Sequence, residues 1–184
     1  MNDRSTFIMK YLLITFTLLS ICTSLHAQKP LPDSVAKSNA EKQALTMANY
    51  LLAKDYKHFT AFTYPAIVKM AGGADQMAQF MEKSINDMAK EGFTFSNVEV
   101  RDYSRIIHTE KQLQCTLTEV IELKNPDGKL IQKSTLIGIS GDKGANWTFI
   151  DTHGAPLKKL QQTLKELSNE LVIPAMEKPV LIAN

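Results

Sequence analysis

Between residues 96 and 152 apolar and polar residues alternate with a period of two, the spacing of a β-strand with unlike faces. Four such stretches occur, residues 96–107, 112–123, 129–140 and 146–152, separated by the turn-like segments 108–111, 125–128 and 141–145. They predict an antiparallel four-stranded meander. In the first stretch Val98, Val100 and Ile106 share a face with Asp102 and Ser104. In the second, Leu113, Cys115, Leu117, Ile121 and Leu123 share a face with Glu119. The pattern predicts one buried and one wetter face.

Asn125-Pro126-Asp127-Gly128 is the sharpest local signal. Proline suits the first central position of a type I turn, and Gly128 suits the left-handed position of a three-residue hairpin with a bulge. That turn pairs Asn125 with Lys129, Leu123 with Ile131, Leu117 with Ile137 and Cys115 with Ile139, and sets Glu119 opposite Thr135. Continuing the register, Ile139 meets Trp147, Phe149 meets Ile137 and Asp151 meets Thr135. Leu117, Ile137 and Phe149 then lie on one side of the sheet.

Upstream, apolar positions recur at helical spacing. A first helix, capped by Asp33 or Ser34, carries Ala40, Ala44, Leu45, Met47, Ala48, Leu51 and Leu52, and breaks at Lys54-Asp55. A second carries Phe59, Phe62, Ile67 and Met70. Pro65 kinks it or starts a fresh helix near Tyr64, and Gly72-Gly73 ends it. A third runs from about Ala74 to Lys90, with Met77, Phe80, Met81, Ile85 and Met88 on one face and Gly92 as its stop. Downstream of Pro156, Leu157, Leu160, Leu164, Leu167 and Leu171 predict one further helix docked on the sheet, with Pro174 and Pro179 leaving a loose tail.

Three helices followed by a meander whose last strand reads Trp147-x-Phe149-x-Asp151 resemble the nuclear transport factor 2-like (cystatin-like) superfamily. The stretch Lys54-Asp55-Tyr56, Phe59, Tyr64-Pro65, Gly72-Gly73 is similar to the second-helix region of its exported bacterial members. The resemblance covers residues 34–152 and implies an α+β fold in which a curved sheet and three helices form a cone. The open end of the cone would hold a small hydrophobic ligand or an active site. Ketosteroid isomerase-like and dehydratase-like members use carboxylates and tyrosines there. None of their catalytic residues aligns one by one with this chain, so none is carried over, and the fold alone implies no activity.

The first 27 residues change the picture of where the protein works. Lys10 precedes an apolar run from Tyr11 to Ile21, and a small-residue site ends at Ala27. This is the layout of a cleaved export signal, and the run is shorter than the ~20 residues a membrane-spanning helix needs. A start at Met9 would make the signal tighter. The expectation is a bacterial periplasmic or cell-envelope protein with no membrane span after cleavage. Residues 28–33 form a linker, 34–153 the cone-like domain, and 154–184 a C-terminal helix and tail. Cleavage removes Cys22, so Cys115 stands alone, no internal disulfide forms, and it reads as a small buried hydrophobe.

The 184 residues carry a formal net charge of +2 with no basic block, which argues against nucleic acid as a partner. The chain has no CxxC, HExxH, GxxxxGK or GxGxxG pattern, and nothing calls for a cofactor. Asp151 and His153 sit two apart, but two ligands do not make a metal site. By alternation Asp102, Glu119 and Asp151 point to the apolar face, and Tyr64 either aims a hydroxyl into the cone or packs against Pro65 and the sheet. These four are the candidate pocket residues, with His58 and His153 as polar neighbours. The first functional expectation is a non-enzymatic module binding a small apolar ligand or a protein partner. The alternative is a lyase- or isomerase-type enzyme using the inward carboxylates. A homodimer through the open sheet face is a third reading, independent of both.

Overall fold

The computed structural model describes residues 31–183. The leader expected over residues 1–27 and the first part of the linker lie outside them. The described chain is α+β, with five helices and a six-stranded antiparallel sheet.

The sheet is built on one long hairpin, β3 (Leu113–Asn125) and β4 (Gly128–Ser140). Each outer edge of that hairpin is covered by two strand fragments in line. On the β3 side these are β1 (Thr94–Arg101) and β2 (Ile107–His108). On the β4 side they are β5 (Thr148–Asp151) and β6 (Val180–Ala183). The path β1-β3-β4-β5 is the meander that the alternation predicts. The first predicted strand is interrupted, however. Asp102 takes φ +53°, and Ser104 bonds Thr116 through its backbone N–H and through its hydroxyl oxygen.

The register differs from expectation by one residue. Asn125 pairs with Gly128 across the two-residue turn Pro126-Asp127, so no third loop residue is used. Gly128 is needed for a different reason, since a Cβ there would overlap the Ile182 carbonyl oxygen of β6. Leu117 therefore faces Leu136, Cys115 faces Gly138, Leu123 faces Leu130 and Glu119 faces Ser134. The β4–β5 register slips as well, with Thr148 opposite Ile139, Phe149 opposite Gly138 and Asp151 opposite Leu136. Because a one-residue slip inverts a strand's faces, β4 is inverted relative to the expectation. The second slip cancels the first for β5. Leu117 and Phe149 share a face, and Ile137 lies on the other.

Both faces of the upper sheet are buried, which is why β4 can present apolar residues on each side. On the first face pack α1 (Asp33–Leu52), α2 (Tyr56–Ala61) and α4 (Ala74–Lys90). Ala36, Ala40, Ala44 and Ala48 recur every fourth residue and bring α1 close to the sheet. Cys115, Leu117, Leu136, Trp147 and Phe149 fill the space beneath. Gly138 is required there, because a Cβ would stand 3.0 Å from Cys115 Sγ and 3.2 Å from Trp147 Cε3. Burial pushes the Cys115 thiol up to about 12, as suits an inert buried sulfur. Phe80 and Met70, both expected on buried faces, are exposed. Pro65 does start a separate helix, α3 (Pro65–Met70), and α3 passes to the other face, where Ile67 packs.

On the second face lie Ile107, Ile137, Ile139 and Ile150 under Leu164, Leu167 and Leu171. The expected C-terminal helix is cut short, since α5 covers only Leu157–Thr163. Its leucines are buried all the same, in a run of turns. The cause is Gln114, a fully buried amide on β3. Its Nε2 donates to the Glu166 carbonyl at 2.8 Å and its Oε1 accepts from the Ser168 N–H at 2.9 Å. Continuing the helix would claim both backbone groups and leave a buried amide unpaired. The predicted loose tail instead ends in β6.

Candidate functional site

Glu119, Ser134 and Asp151 converge on the first face, where β3, β4 and β5 run side by side. Glu119 and Ser134 are cross-strand partners, and Asp151 lies opposite Leu136, two residues along the same face from Ser134. Just past β5 the chain reverses through His153 at φ +46° and Gly154 at φ +73°. Asp151 stabilises this reversal. Its Oδ1 accepts from the His153 backbone N–H at 2.8 Å, and its Oδ2 lies 3.0 Å from His153 Nδ1, the side-chain-to-backbone turn that aspartate favours. The Ser134 hydroxyl donates to Oδ1 of the same carboxylate.

The two carboxyl groups differ in charge state. Glu119 is 4% exposed, and burial first, then the negative charge of Asp151, pushes it up to about 8. It carries a proton at neutral pH. Burial also acts upward on Asp151, but hydrogen bonds from His153 and Ser134 and the His153 charge outweigh it and hold the carboxyl below its usual range. The Asp151 hydrogen bond, more than the Asp151 and Glu119 charges, raises His153. The group thus sets a buried acid, raised by its burial, beside an Asp–His pair whose imidazole reaches solvent.

Serine, aspartate and histidine together suggest a nucleophilic triad, but the wiring excludes that role. Asp151 stands in the middle and receives both Ser134 and His153. A triad needs the imidazole on the serine oxygen. What the group presents is a buried carboxyl on the same sheet face as a solvent-reaching Asp–His pair. Asp151 orients the ring.

Tyr64 and Asp102 lie elsewhere. Tyr64 packs against the second face, where its hydroxyl donates to Glu166 Oε1 at 2.8 Å, and burial followed by Glu166 pushes it up to about 12. Its backbone N–H donates to the Phe149 carbonyl, and the Phe149 N–H donates to that of Phe62, closing the outer edge of β5. Asp102 is 70% exposed and lies 3.7 Å from Arg101 Nε. His58 bonds Asp55 on the surface. Ser134 escaped sequence reading because its facing depends on the turn length at Pro126-Asp127.

A second feature includes Asp102 and had no other sequence signal. Residues 174–177 cross the second face beside Lys133, over a small cleft of about 150 Å³ that Thr118, Thr135 and Thr152 also line. The Thr152 hydroxyl is buried there without a hydrogen-bond partner among the described residues. Among the described residues no group of three or more His, Cys, Asp or Glu could hold a metal ion, and no helix is long and apolar enough to cross a membrane.

No family model matches this chain, and no curated protein or solved structure does.

Proposed function

We propose that the chain is an exported, non-enzymatic module that binds a protein partner at the open edge of its sheet. The observation that carries this reading is β6. Val180, Leu181 and Ile182 are 57%, 56% and 52% exposed, an apolar strand that is paired on one edge alone among the described residues. Such an edge offers a ladder of backbone donors and acceptors to an extended segment of another chain. The space between α1 and the sheet is filled by Trp147, Phe149, Leu117 and Leu136, which favours a protein over a small apolar ligand. The sheet face expected to receive a second copy is covered by Leu164, Leu167 and Leu171, which favours the edge over the face. The order of helices and strands supports membership of the nuclear transport factor 2-like superfamily, with a cone-like curve of the sheet, as part of the same proposal.

A photo-crosslinking residue at Leu181 tests it in cells that make the protein. A discrete adduct with another protein, absent with the probe at exposed Lys83 on α4, is the expected result. Equal labelling at both positions overturns it.

The alternative, a lyase- or isomerase-type enzyme, is favoured by the Glu119–Asp151–His153 group. On that reading Glu119→Gln abolishes proton transfer to a carbon acid, measured as solvent deuterium incorporation.

A further inference from the structure

Most of the outer edge of β4 is covered, but by two kinds of contact. Residues 136–139 pair with β5, and the Thr135 carbonyl accepts from the Thr152 N–H at 3.0 Å. Beyond that point the cover comes from the tail. Lys133 Nζ meets Glu177 Oε2 at 2.9 Å, and residues 128–131 pair with β6. Met176 seats on Gly154, where a Cβ would stand 2.6 Å from its sulfur. Two glycines, Gly128 under the Ile182 carbonyl and Gly154 under Met176, are thus sites where a side chain would collide with the tail. Yet every residue from 174 to 183 is exposed. A backbone ladder, one thioether notch and one ion pair are how a domain holds an extended peptide. They are not how a core holds a strand.

We propose that this groove is an exchangeable peptide-binding site and that the tail is its resident stand-in. Its ligand is an extended partner segment of the tail's own pattern, a methionine followed by an acidic residue and, three positions on, a short aliphatic run. The partner displaces residues 174–183 and pairs with β4 in their place. The inference rests on the protein-partner reading above, moves the contact from the free edge of β6 to the β4 edge that β6 covers, and adds the ligand chemistry.

The test uses the full-length chain carrying Leu181→Pro and Ile182→Pro together, which denies β6 its ladder. The probe is a fluorescently labelled synthetic peptide of residues 174–184, followed by anisotropy. The variant should bind it saturably. The unaltered protein should bind at least about tenfold more weakly, because its tethered tail competes at an effective concentration of about millimolar. A Glu177→Lys peptide should lose binding, and Lys133→Glu in the protein should restore it. Should the prolines cost the fold, full-length Glu177→Lys loosens the tail while leaving the β6 residues in place, and should bind the unaltered peptide more tightly than the wild type does. If the wild type exchanges tails reciprocally, light scattering shows a dimer that the proline variant lacks, which also supports a groove filled in trans. A folded variant that does not bind the peptide, or binds it regardless of charge at residue 177, overturns the proposal. A crosslink at Leu181 alongside such a negative titration would keep the partner and reject the groove.

Discussion

β5 and β6 are four-residue strands on the same edge of β4, both antiparallel to it, and they share almost nothing else. β5 has both faces buried, Phe149 toward α1 and Ile150 toward Leu164, Leu167 and Leu171, and its outer edge is closed by Phe62 and Tyr64. β6 begins where the helices no longer reach, and its four residues are exposed. Pairing to β4 is common to the two, so burial is the term that should hold β5 more firmly than β6. Backbone hydrogen bonds exchanged with water contribute little net stability, whereas removing apolar surface from water contributes ~25 cal/mol per Å².

The largest expected effect follows at once. Phe149→Ala should destabilise the fold by about 3–5 kcal/mol, since it opens a cavity where Cys115, Trp147 and Gly138 meet. Urea unfolding followed by Trp147 fluorescence measures it. A loss below about 1 kcal/mol would mean that β5 is no better anchored than β6.

Next comes the segment that buries β5 from the other side. Gln114→Leu strips the Ser168 N–H of its buried acceptor, at about 1–3 kcal/mol if left unpaired, and leaves the Glu166 carbonyl only the longer bond from Gln112. The expected result is a stability loss together with faster hydrogen exchange at residues 164–171. If exchange there is unchanged, the turns hold themselves and the amide is incidental.

The same residues mark where the sequence was legible. Helix limits were readable because their breakers are local: Asp55, Pro65, Gly72-Gly73 and Gly92 stop or restart a helix wherever they stand. The in-facing set of β3 was readable because its alternation is clean. That of β4 was not. Leu130-Ile131 and Leu136-Ile137 place an apolar residue on either face, so alternation fits both, and only the turn length at Pro126-Asp127 chooses. The leucine seam downstream of Pro156 marked burial correctly and helicity only as far as Thr163, because Gln114 captures the later backbone from 52 residues away in sequence. At the site, the Asp151–His153 pairing is a local turn and could be seen. The position of Ser134 followed the hidden register, and Tyr64 changed faces with the crossing of α3.

Glu119 lies at the lower end of the well-buried half and gives the comparison a pH dependence. Its folded pKa, about 8, is above its ordinary 4.5, so between those values the native state binds a proton that the unfolded chain has lost. Its contribution is complete below about pH 4.5 and falls as pH rises toward 8, by at most about 1.4 kcal/mol per pH unit. His153, also raised, acts in the same direction. Asp151, held below its usual range, loses its contribution only as pH falls through its own lowered pKa. Glu119→Gln keeps the shape and removes the ionisation, so it should flatten most of the decline in urea midpoint between pH 5 and pH 8. A wild-type midpoint that does not fall over that range would show an ionised Glu119 and a wetter β5 end.

The smallest expected effect is the one that separates structure from function. Leu181→Thr with Ile182→Thr places a β-branched residue suited to a strand at both positions and removes exposed apolar surface. Since these side chains are about half exposed already, stability should move by no more than about 0.5 kcal/mol. Partner crosslinking from a probe placed at the adjacent Val180 should nevertheless drop, because the apolar edge is gone while the ladder to residues 128–131 remains. Stability lost in proportion to crosslinking would make β6 a structural strand after all. A crosslink lost at constant urea midpoint assigns to β6 a role that the fold itself does not need.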